Sequence, residues 1–357
     1  MSAAEFTGRN PLTFHRVIGA ILFVLLAACA PRETAQVAPP NPAATAQPIY
    51  VATQRKLDRT GPYFGQLRPD GLRFFRNVIS VPPNHVAGHV EWPEGPPDAA
   101  TDFVVTDTKI FSGMREMRSH LRARRKGSET LVFVHGYNNT LSDAMYRLAQ
   151  IQTDFKTGMP GVLFSWQSAG DARGYIYDRD SVLHARDDLE EVLNSLTAAP
   201  GEKVFLLAHS MGANLTMEVL RQAALRGNRK LLDRISGVVL MSPDIDPDLF
   251  RRQVNSIGKL PDPFMIFVSR QDRALSLAGF LTGRKPRLGV IDGPEKVADL
   301  KGVTVVDFTA LADGEGLNHM VPVSSPAAVS VLQGMIAQAQ QSGTGFDEYL
   351  VLDAPAP

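Results

Sequence analysis

Residues 203–212 read Lys-Val-Phe-Leu-Leu-Ala-His-Ser-Met-Gly, and the residues that follow them have helical periodicity. An apolar run of this length that is rich in β-forming residues predicts a buried strand. Ala208 and Gly212 lie two residues before and two residues after Ser210, and a sharp turn from a strand into a helix requires small side chains at both places. The stretch therefore predicts a strained turn that lifts the hydroxyl of Ser210 out of the backbone.

On either side of this turn, short apolar runs alternate with segments of helical period. Such alternation is typical of a mostly parallel sheet that is covered by helices on both faces. The first three runs are separated by Pro/Gly-rich loops, which predicts an antiparallel N-terminal edge. We expect active residues at the carboxyl ends of the parallel strands. The predicted strands cover 49–53, 72–81, 103–106, 131–134, 161–164, 203–207, 237–241, 264–268 and 303–308, and the predicted helices cover 114–126, 142–155, 181–196, 213–225, 247–254, 274–281 and 327–338.

A reactive serine needs a general base, because its hydroxyl is a poor nucleophile at neutral pH. When the serine lies on a strand-turn-helix of this kind, the catalytic groups follow the chain order Ser, acid, His. Of the eight histidines, only His319 follows Ser210, and it lies in a loop just past the strand 303–308. We therefore expect His319 to be the base.

Two aspartates remain as candidates for the catalytic acid. Asp272 lies four residues beyond the strand 264–268, in a loop that is able to face a histidine from the following strand. Asp244 directly follows the preceding strand. We favour Asp272 and keep Asp244 as the alternative. Asp246 precedes Pro247 and is expected to cap a helix that begins with that proline.

Several motifs together carry a resemblance to a known superfamily. Residues from about 130 to 340 look like an α/β-hydrolase, and the motifs are similar to those of a functionally uncharacterised bacterial family of hydrolases. The resemblance implies the α/β-hydrolase fold and a Ser-His-Asp triad, but no substrate. The motifs are Ser80-Val-Pro-Pro83, Glu91-Trp92-Pro93, Val134-His-Gly-Tyr-Asn138, Ala208-His-Ser-Met-Gly212 and Pro243-Asp-Ile-Asp246.

An oxyanion hole needs two backbone amides beside the nucleophile. The amide of Met211 begins a helix and points where an oxyanion would form. The His135-Gly136 pair resembles the oxyanion loop of α/β-hydrolases, which implies the amide of Tyr137 as the second donor. Trp166 is expected either to line the substrate pocket or to cover the core.

The N-terminus has the layout of a secretory signal peptide. Residues 1–16 are polar and contain two arginines, and residues 17–28 contain no charge. The run ends Leu26-Ala-Ala-Cys29, which resembles a bacterial lipobox. This resemblance implies cleavage after residue 28 and a lipid on Cys29, the only cysteine of the chain. We therefore expect a protein anchored to the periplasmic face of a bacterial membrane, and Ala30 implies the outer one.

Composition completes the domain organisation. Residues 30–48 are rich in Pro and Ala, which predicts a disordered spacer between the lipid and the fold. The predicted organisation is a signal peptide (1–28), lipidated Cys29 with the spacer (29–48), a hydrolase domain (49–345) and a C-terminal tail (346–357).

Charge and motif content exclude several classes of function. The chain has 37 basic and 37 acidic residues and no long basic run, which argues against nucleic acid as a partner. It has no Cys-x-x-Cys, His-Glu-x-x-His, Walker or dinucleotide-binding motif, so no metal or organic cofactor is expected. The expected activity is hydrolysis of a carboxylic ester, either of a small molecule or of a lipid. The alternatives are a lipase, thioesterase or acyltransferase that acts on envelope lipids, and a non-catalytic lipoprotein that uses the fold as an interaction surface.

Overall fold

The computed structural model describes residues 34–56, 67–69, 71–124, 127–283, 285–293, 296–297, 300–312, 317–342 and 349–352. The chain from Ala35 onward forms one compact unit. The predicted signal peptide and Cys29 lie outside the described residues. Within the described part, no helix combines the length and the apolar character that a membrane span requires.

Ten strands of the described chain form one sheet. In the centre of the sheet, the short, β-rich strands that begin at Glu129 and Gly161 are almost entirely buried, since they are covered on both faces. The strands are β1 (Thr45–Thr53), β2 (Arg73–Val81), β3 (Val104–Phe111), β4 (Glu129–Val134), β5 (Gly161–Ser165), β6 (Lys203–His209), β7 (Ile235–Met241), β8 (Phe264–Val268), β9 (Thr304–Asp307) and β10 (Tyr349–Val351).

The sheet has the order β10-β9-β8-β7-β6-β4-β5-β1-β2-β3. All neighbours from β10 to β1 pair in parallel, whereas β2 pairs antiparallel with both β1 and β3. The expected mostly parallel sheet with an antiparallel N-terminal edge is therefore confirmed.

Helices cover both faces of this sheet. Alternate side chains of β4 enter two different apolar clusters, as the period of two requires. One cluster includes residues of the helices that begin at Met114, Arg186, Met211 and Pro247, and the other includes residues of the helices that begin at Leu141 and Pro326. The helices are α1 (Met114–Arg122), α2 (Leu141–Asp154), α3 (Tyr175–His184), α4 (Arg186–Leu196), α5 (Met211–Leu225), α6 (Arg229–Leu232), α7 (Pro247–Ile257), α8 (Arg273–Leu281), α9 (Val321–Ser324) and α10 (Pro326–Ser342).

The register of the parallel strands aligns their carboxyl ends. Val134 at the end of β4 pairs with Ala208, and Ala208 pairs with Leu240. At the end of β8, Val268 pairs with Asp307 of β9. The loops that follow β4, β6, β7, β8 and β9 therefore leave the sheet at one edge.

The sheet begins earlier in the chain than the sequence predicts. Thr45–Pro48 pair with Val78–Val81 as the first half of β1. The predicted disordered spacer is therefore wrong for these residues. The prediction failed because a Pro/Ala-rich composition shows only that large apolar side chains are lacking. These residues are held instead by backbone pairing with the nine-residue strand β2.

A segment still closer to the N-terminus also contacts the sheet. The amide of Ala35 donates to Ser142 Oγ at 2.9 Å. The amide of Val105 donates to the carbonyl of Gln36 at 2.8 Å, and the amide of Ala38 donates to the carbonyl of Val105 at 3.1 Å. Residues 35–38 thus lie along β3, which reduces the exposed edge of the sheet.

Two further boundaries differ from the prediction. The predicted helix 181–196 is two helices, because α3 ends at His184 and α4 begins at Arg186. The predicted C-terminal tail contributes β10, which pairs with Val305–Asp307. A three-residue strand has too short an apolar pattern to be recognised without its partner.

Candidate active site

The turn between β6 and α5 has the strained geometry that its sequence predicts. Ser210 has φ 54° and ψ −121°, a conformation that is rare for residues other than glycine. A Cβ atom on Gly212 would lie 2.3 Å from the carbonyl oxygen of His135 and 2.4 Å from that of Val134. Only glycine therefore fits at this position, and β4 and α5 approach each other directly beside Ser210.

His319 and Asp272 lie in contact at the same edge of the sheet. His319 Nδ1 is 2.7 Å from Asp272 Oδ2, and Asp272 is fully buried. The other carboxylate oxygen of Asp272 accepts from the amide of Leu275 at 2.9 Å, so Asp272 also caps α8. A carboxylate at Nδ1 fixes the tautomer that leaves Nε2 of His319 as a proton acceptor.

Asp244 makes different contacts. Its Oδ1 lies 2.8 Å from Arg287 Nε in a buried ion pair, and its Oδ2 accepts from the hydroxyl of Tyr175 at 2.9 Å. Arg287 also donates to that hydroxyl at 3.0 Å. The amide of Asp244 donates to the carbonyl of Ser210 at 3.2 Å. Of the two aspartates considered for the acid, the structure brings Asp272 to His319 and engages Asp244 with a cation.

The loop after β4 packs against the turn that carries Ser210. A Cβ atom on Gly136 would lie 2.8 Å from Ser210 Cβ and 2.6 Å from His209 Nδ1. Within the part of the chain that the structure describes, the backbone amides of Tyr137 and Met211 donate no hydrogen bond. The loop after β4 and the serine turn, which carry these two amides, therefore lie side by side.

Comparison with known proteins places this arrangement in a family. A family model described as an alpha/beta hydrolase of unknown function (DUF900) matches residues 110–338, which include the serine turn, Asp272 and His319. The chain belongs to this family. It is therefore a hydrolase with the α/β-hydrolase fold, and the activity that the sequence predicts is confirmed at this level.

Solved structures of other hydrolases are similar to this chain at low identity. Esterase B from Lactobacillus rhamnosis is 15% identical with a TM-score of 0.38, covering 62% of this chain and 82% of that chain. Dienelactone hydrolase from Anabaena variabilis is 13% identical with a TM-score of 0.38, covering 76% and 93%. Monoacylglycerol lipase from Paleococcus ferrophilus is 17% identical with a TM-score of 0.37, covering 60% and 94%. No curated protein matches the chain.

In this α/β hydrolase, buried groups hold the loop that follows β4. Burial and the neighbouring cation of Arg55 lower the pKa of His135 to about 3, so its ring is neutral. The ring stacks on Trp166, whose Nε1 donates to the carbonyl of His135 at 2.7 Å. Trp166 is fully buried, so of its two predicted roles the structure supports the one in the core.

Asp178 anchors the other end of this loop, a role that its sequence did not reveal. Its carboxylate accepts from the amide of Asn138 at 3.2 Å, from Ser168 Oγ at 2.6 Å and from the amide of Ala169 at 2.6 Å. Burial raises the pKa of Asp178, against the effect of these hydrogen bonds. The donors lie far apart in sequence, and a lone aspartate in a helix carries no local signal that they converge.

His209 was also given no role by the sequence, although it lies inside the serine motif. Its ring centroid is 4.5 Å from that of His319, and its Nε2 donates to the carbonyl of His319 at 3.2 Å. Burial lowers the pKa of His209 well below its ordinary value. His209 directly precedes Ser210 in the chain. In its neutral form, it therefore holds the loop that carries His319 close to the serine turn.

Two other kinds of site could lie in the described residues, namely metal-ligand clusters and cavities. Among the residues that the structure describes, no three His, Cys, Asp or Glu side chains cluster as metal ligands would. An apolar cavity of about 530 Å³ opens at the other end of the sheet, with Phe74, Ile110 and Met145 in its wall. Since β2 is four strands away from β6, this cavity does not belong to the candidate site.

Proposed function

We propose that this chain is a serine hydrolase of carboxylic esters, with Ser210 as nucleophile, His319 as base and Asp272 as the acid of the triad. The observation that carries the proposal is the 2.7 Å contact between His319 Nδ1 and Asp272 Oδ2. His209 links this pair to the strained turn of Ser210 through its own contact with His319. A serine, an oriented imidazole and a buried carboxylate are the parts that acyl transfer requires.

In the first half of the reaction, Ser210 Oγ attacks the carbonyl carbon of the ester while His319 Nε2 takes the hydroxyl proton. The tetrahedral intermediate carries a negative oxygen, which the amides of Tyr137 and Met211 stabilise. The bond to the alcohol oxygen then breaks, and His319 gives its proton to the leaving alkoxide. Asp272 keeps the imidazole in the required tautomer and stabilises its protonated form.

In the second half, water hydrolyses the acyl-enzyme. His319 removes a proton from the water as its oxygen attacks the acyl carbon. The bond between that carbon and Ser210 Oγ breaks, and the serine regains its proton from His319. The products are a carboxylic acid and an alcohol, and the enzyme returns to its starting state.

We further propose that a lipid on Cys29 tethers the enzyme to the cell envelope. The support is the sequence: an uncharged apolar run of twelve residues that ends in Leu-Ala-Ala-Cys. The tether would make the hydrolase peripheral and bring it within reach of lipid esters. In cells fed labelled palmitate, the wild-type protein should take up the label and Cys29→Ser should not; a labelled variant would contradict the tether.

The activity is tested with p-nitrophenyl esters of increasing acyl length. The wild-type chain should turn over at least one of them, and Ser210→Ala should lower kcat by about 10³-fold or more. An inactive wild-type protein would favour a non-catalytic role for the fold, and equal turnover by the variant would exclude Ser210 as the nucleophile.

A further inference from the structure

Two large apolar side chains are exposed on α8, the helix that begins directly after Asp272. Leu277 is 59% exposed and Phe280 is 62% exposed, whereas Leu275 and Ala278 on the same helix are buried. A spacing of three residues puts Leu277 and Phe280 on one face of the helix.

A third exposed apolar residue lies beside this helix. Leu317 is 60% exposed, and its carbonyl accepts from the amide of Arg273 in the first turn of α8 at 2.9 Å. Leu317 lies two residues before His319. The exposed apolar rim formed by Leu277, Phe280 and Leu317 is thus built on the two elements that carry Asp272 and His319.

The same segment is strongly basic. Residues 270–287 contain five Arg or Lys residues and one acidic residue, Asp272, which is buried against His319. Arg287 is buried in its ion pair with Asp244. Arg270, Arg273 and Lys285 of the same segment are exposed, and Arg270 Nε lies 3.8 Å from Asp307 Oδ2. This concentration of positive charge contrasts with the equal numbers of acidic and basic residues in the whole chain.

We propose that the rim and its basic surroundings dock the edge of the candidate site that carries Asp272 and His319 onto an anionic lipid surface. Scattered exposed leucines are normal on soluble proteins, but Leu and Phe flanked by cations form the combination that enters the headgroup boundary of anionic bilayers. The apolar side chains enter the acyl region, and the cations contact lipid phosphates. Docking in this orientation places Ser210, His319 and Asp272 against lipid esters, so the inference deepens the proposed function by naming its substrate class.

A single fluorescent label on α8 tests the docking without relying on catalysis. Because Cys29 is the only cysteine, the full chain with Cys29→Ser, Ser210→Ala and Leu277→Cys has one site for an environment-sensitive dye. The matched control replaces Leu277→Cys with Leu225→Cys. Leu225 is 63% exposed at the far end of α5, about 20 Å from Ser210 along that helix.

On phosphatidylglycerol vesicles, the dye at position 277 should brighten and shift to shorter wavelength, and the dye at 225 should not. The shift should be smaller on phosphatidylcholine vesicles and should fall with added salt. No shift at 277, or equal shifts at both positions, would overturn the docking. Equal shifts on phosphatidylglycerol and phosphatidylcholine vesicles would contradict the proposed contacts between the cations and lipid phosphates. Since the protein carries Ser210→Ala, these outcomes do not depend on whether the proposed esterase activity exists.

Discussion

At the level of single residues, Asp244 and Asp272 follow neighbouring strands but differ in their partners. The sequence placed both at the active edge of the sheet and favoured Asp272 only by its position in a loop after a buried strand, because the partners that distinguish the two carboxylates come from distant parts of the chain. Arg287 and Tyr175 bind Asp244. His319 binds Asp272. The identity of the acid therefore depends on tertiary contacts.

Asp272→Asn should inactivate the enzyme without unfolding it. An asparagine still caps α8, but it stabilises the wrong tautomer of His319, so kcat should fall by about 10³–10⁴-fold. Ester turnover measures the loss, and a urea unfolding curve close to that of the wild type is the control.

Asp244→Asn should act mainly on stability. It leaves the guanidinium of Arg287 buried without its carboxylate, which should lower the free energy of unfolding by about 3–5 kcal/mol. A stable Asp244→Asn protein with turnover reduced by orders of magnitude would mean that Asp244, and not Asp272, is the catalytic acid.

Gly136→Ala should lower kcat through steric contact with the nucleophile. The added methyl group would lie 2.8 Å from Ser210 Cβ, so the loop after β4 or the serine must shift. A displacement of about 1 Å at reacting groups costs about 10²-fold in rate. The matched control is Gly95→Ala, where no atom lies within 4 Å of the added group, and it should retain wild-type kcat. Wild-type kcat in both variants would contradict the packing described for Gly136.

At the level of elements, the sequence predicted those strands, turns and helix caps whose residue patterns lie within one short stretch of chain. The strand, turn and helix around Ser210 were predictable because an apolar run, small residues and a helical period all agree over twenty residues. Asp246 caps α7 as predicted, accepting from the amides of Asp248 and Leu249. Thr45–Pro48 and β10 were missed because they pair through the backbone with strands that are distant in sequence.

Asp246→Ala should separate the role of this cap from catalysis. The side chain satisfies two amides at the start of α7, and its loss should reduce the free energy of unfolding by about 1 kcal/mol. Urea unfolding measures the change. A large fall in turnover with unchanged stability would show that Asp246 has a role beyond the cap.

At the level of the whole molecule, histidines of opposite pKa shift make stability depend on pH. His85 Nδ1 lies 2.8 Å from Glu91 Oε2, and its Nε2 lies 2.9 Å from Asp154 Oδ1. Burial alone would lower the pKa of His85, but these two hydrogen bonds raise it to about 9. Burial lowers the pKa of His135 to about 3, and it lowers that of His209.

Stability should therefore be greatest near the ordinary histidine pKa of 6.5. Above it, the folded chain binds more protons than the unfolded chain through His85, so stability falls as the pH rises towards about 9. Below it, the unfolded chain binds more protons through His135 and His209, so stability falls as the pH falls. Urea midpoints across this range measure both slopes. His85→Gln should remove the contribution at high pH, and an unchanged slope in that variant would contradict the assignment.

The proposed mechanism requires that Ser210 is a nucleophile activated by His319 and Asp272. Fluorophosphonate labelling followed by peptide mapping tests it most directly, because the probe reacts covalently with an activated serine and requires no knowledge of the substrate. We expect one adduct on Ser210 in the wild-type chain, much slower labelling of a folded His319→Ala protein, and none in Ser210→Ala. An unlabelled wild-type protein, or an adduct that persists in Ser210→Ala, would contradict the role of Ser210 as an activated nucleophile.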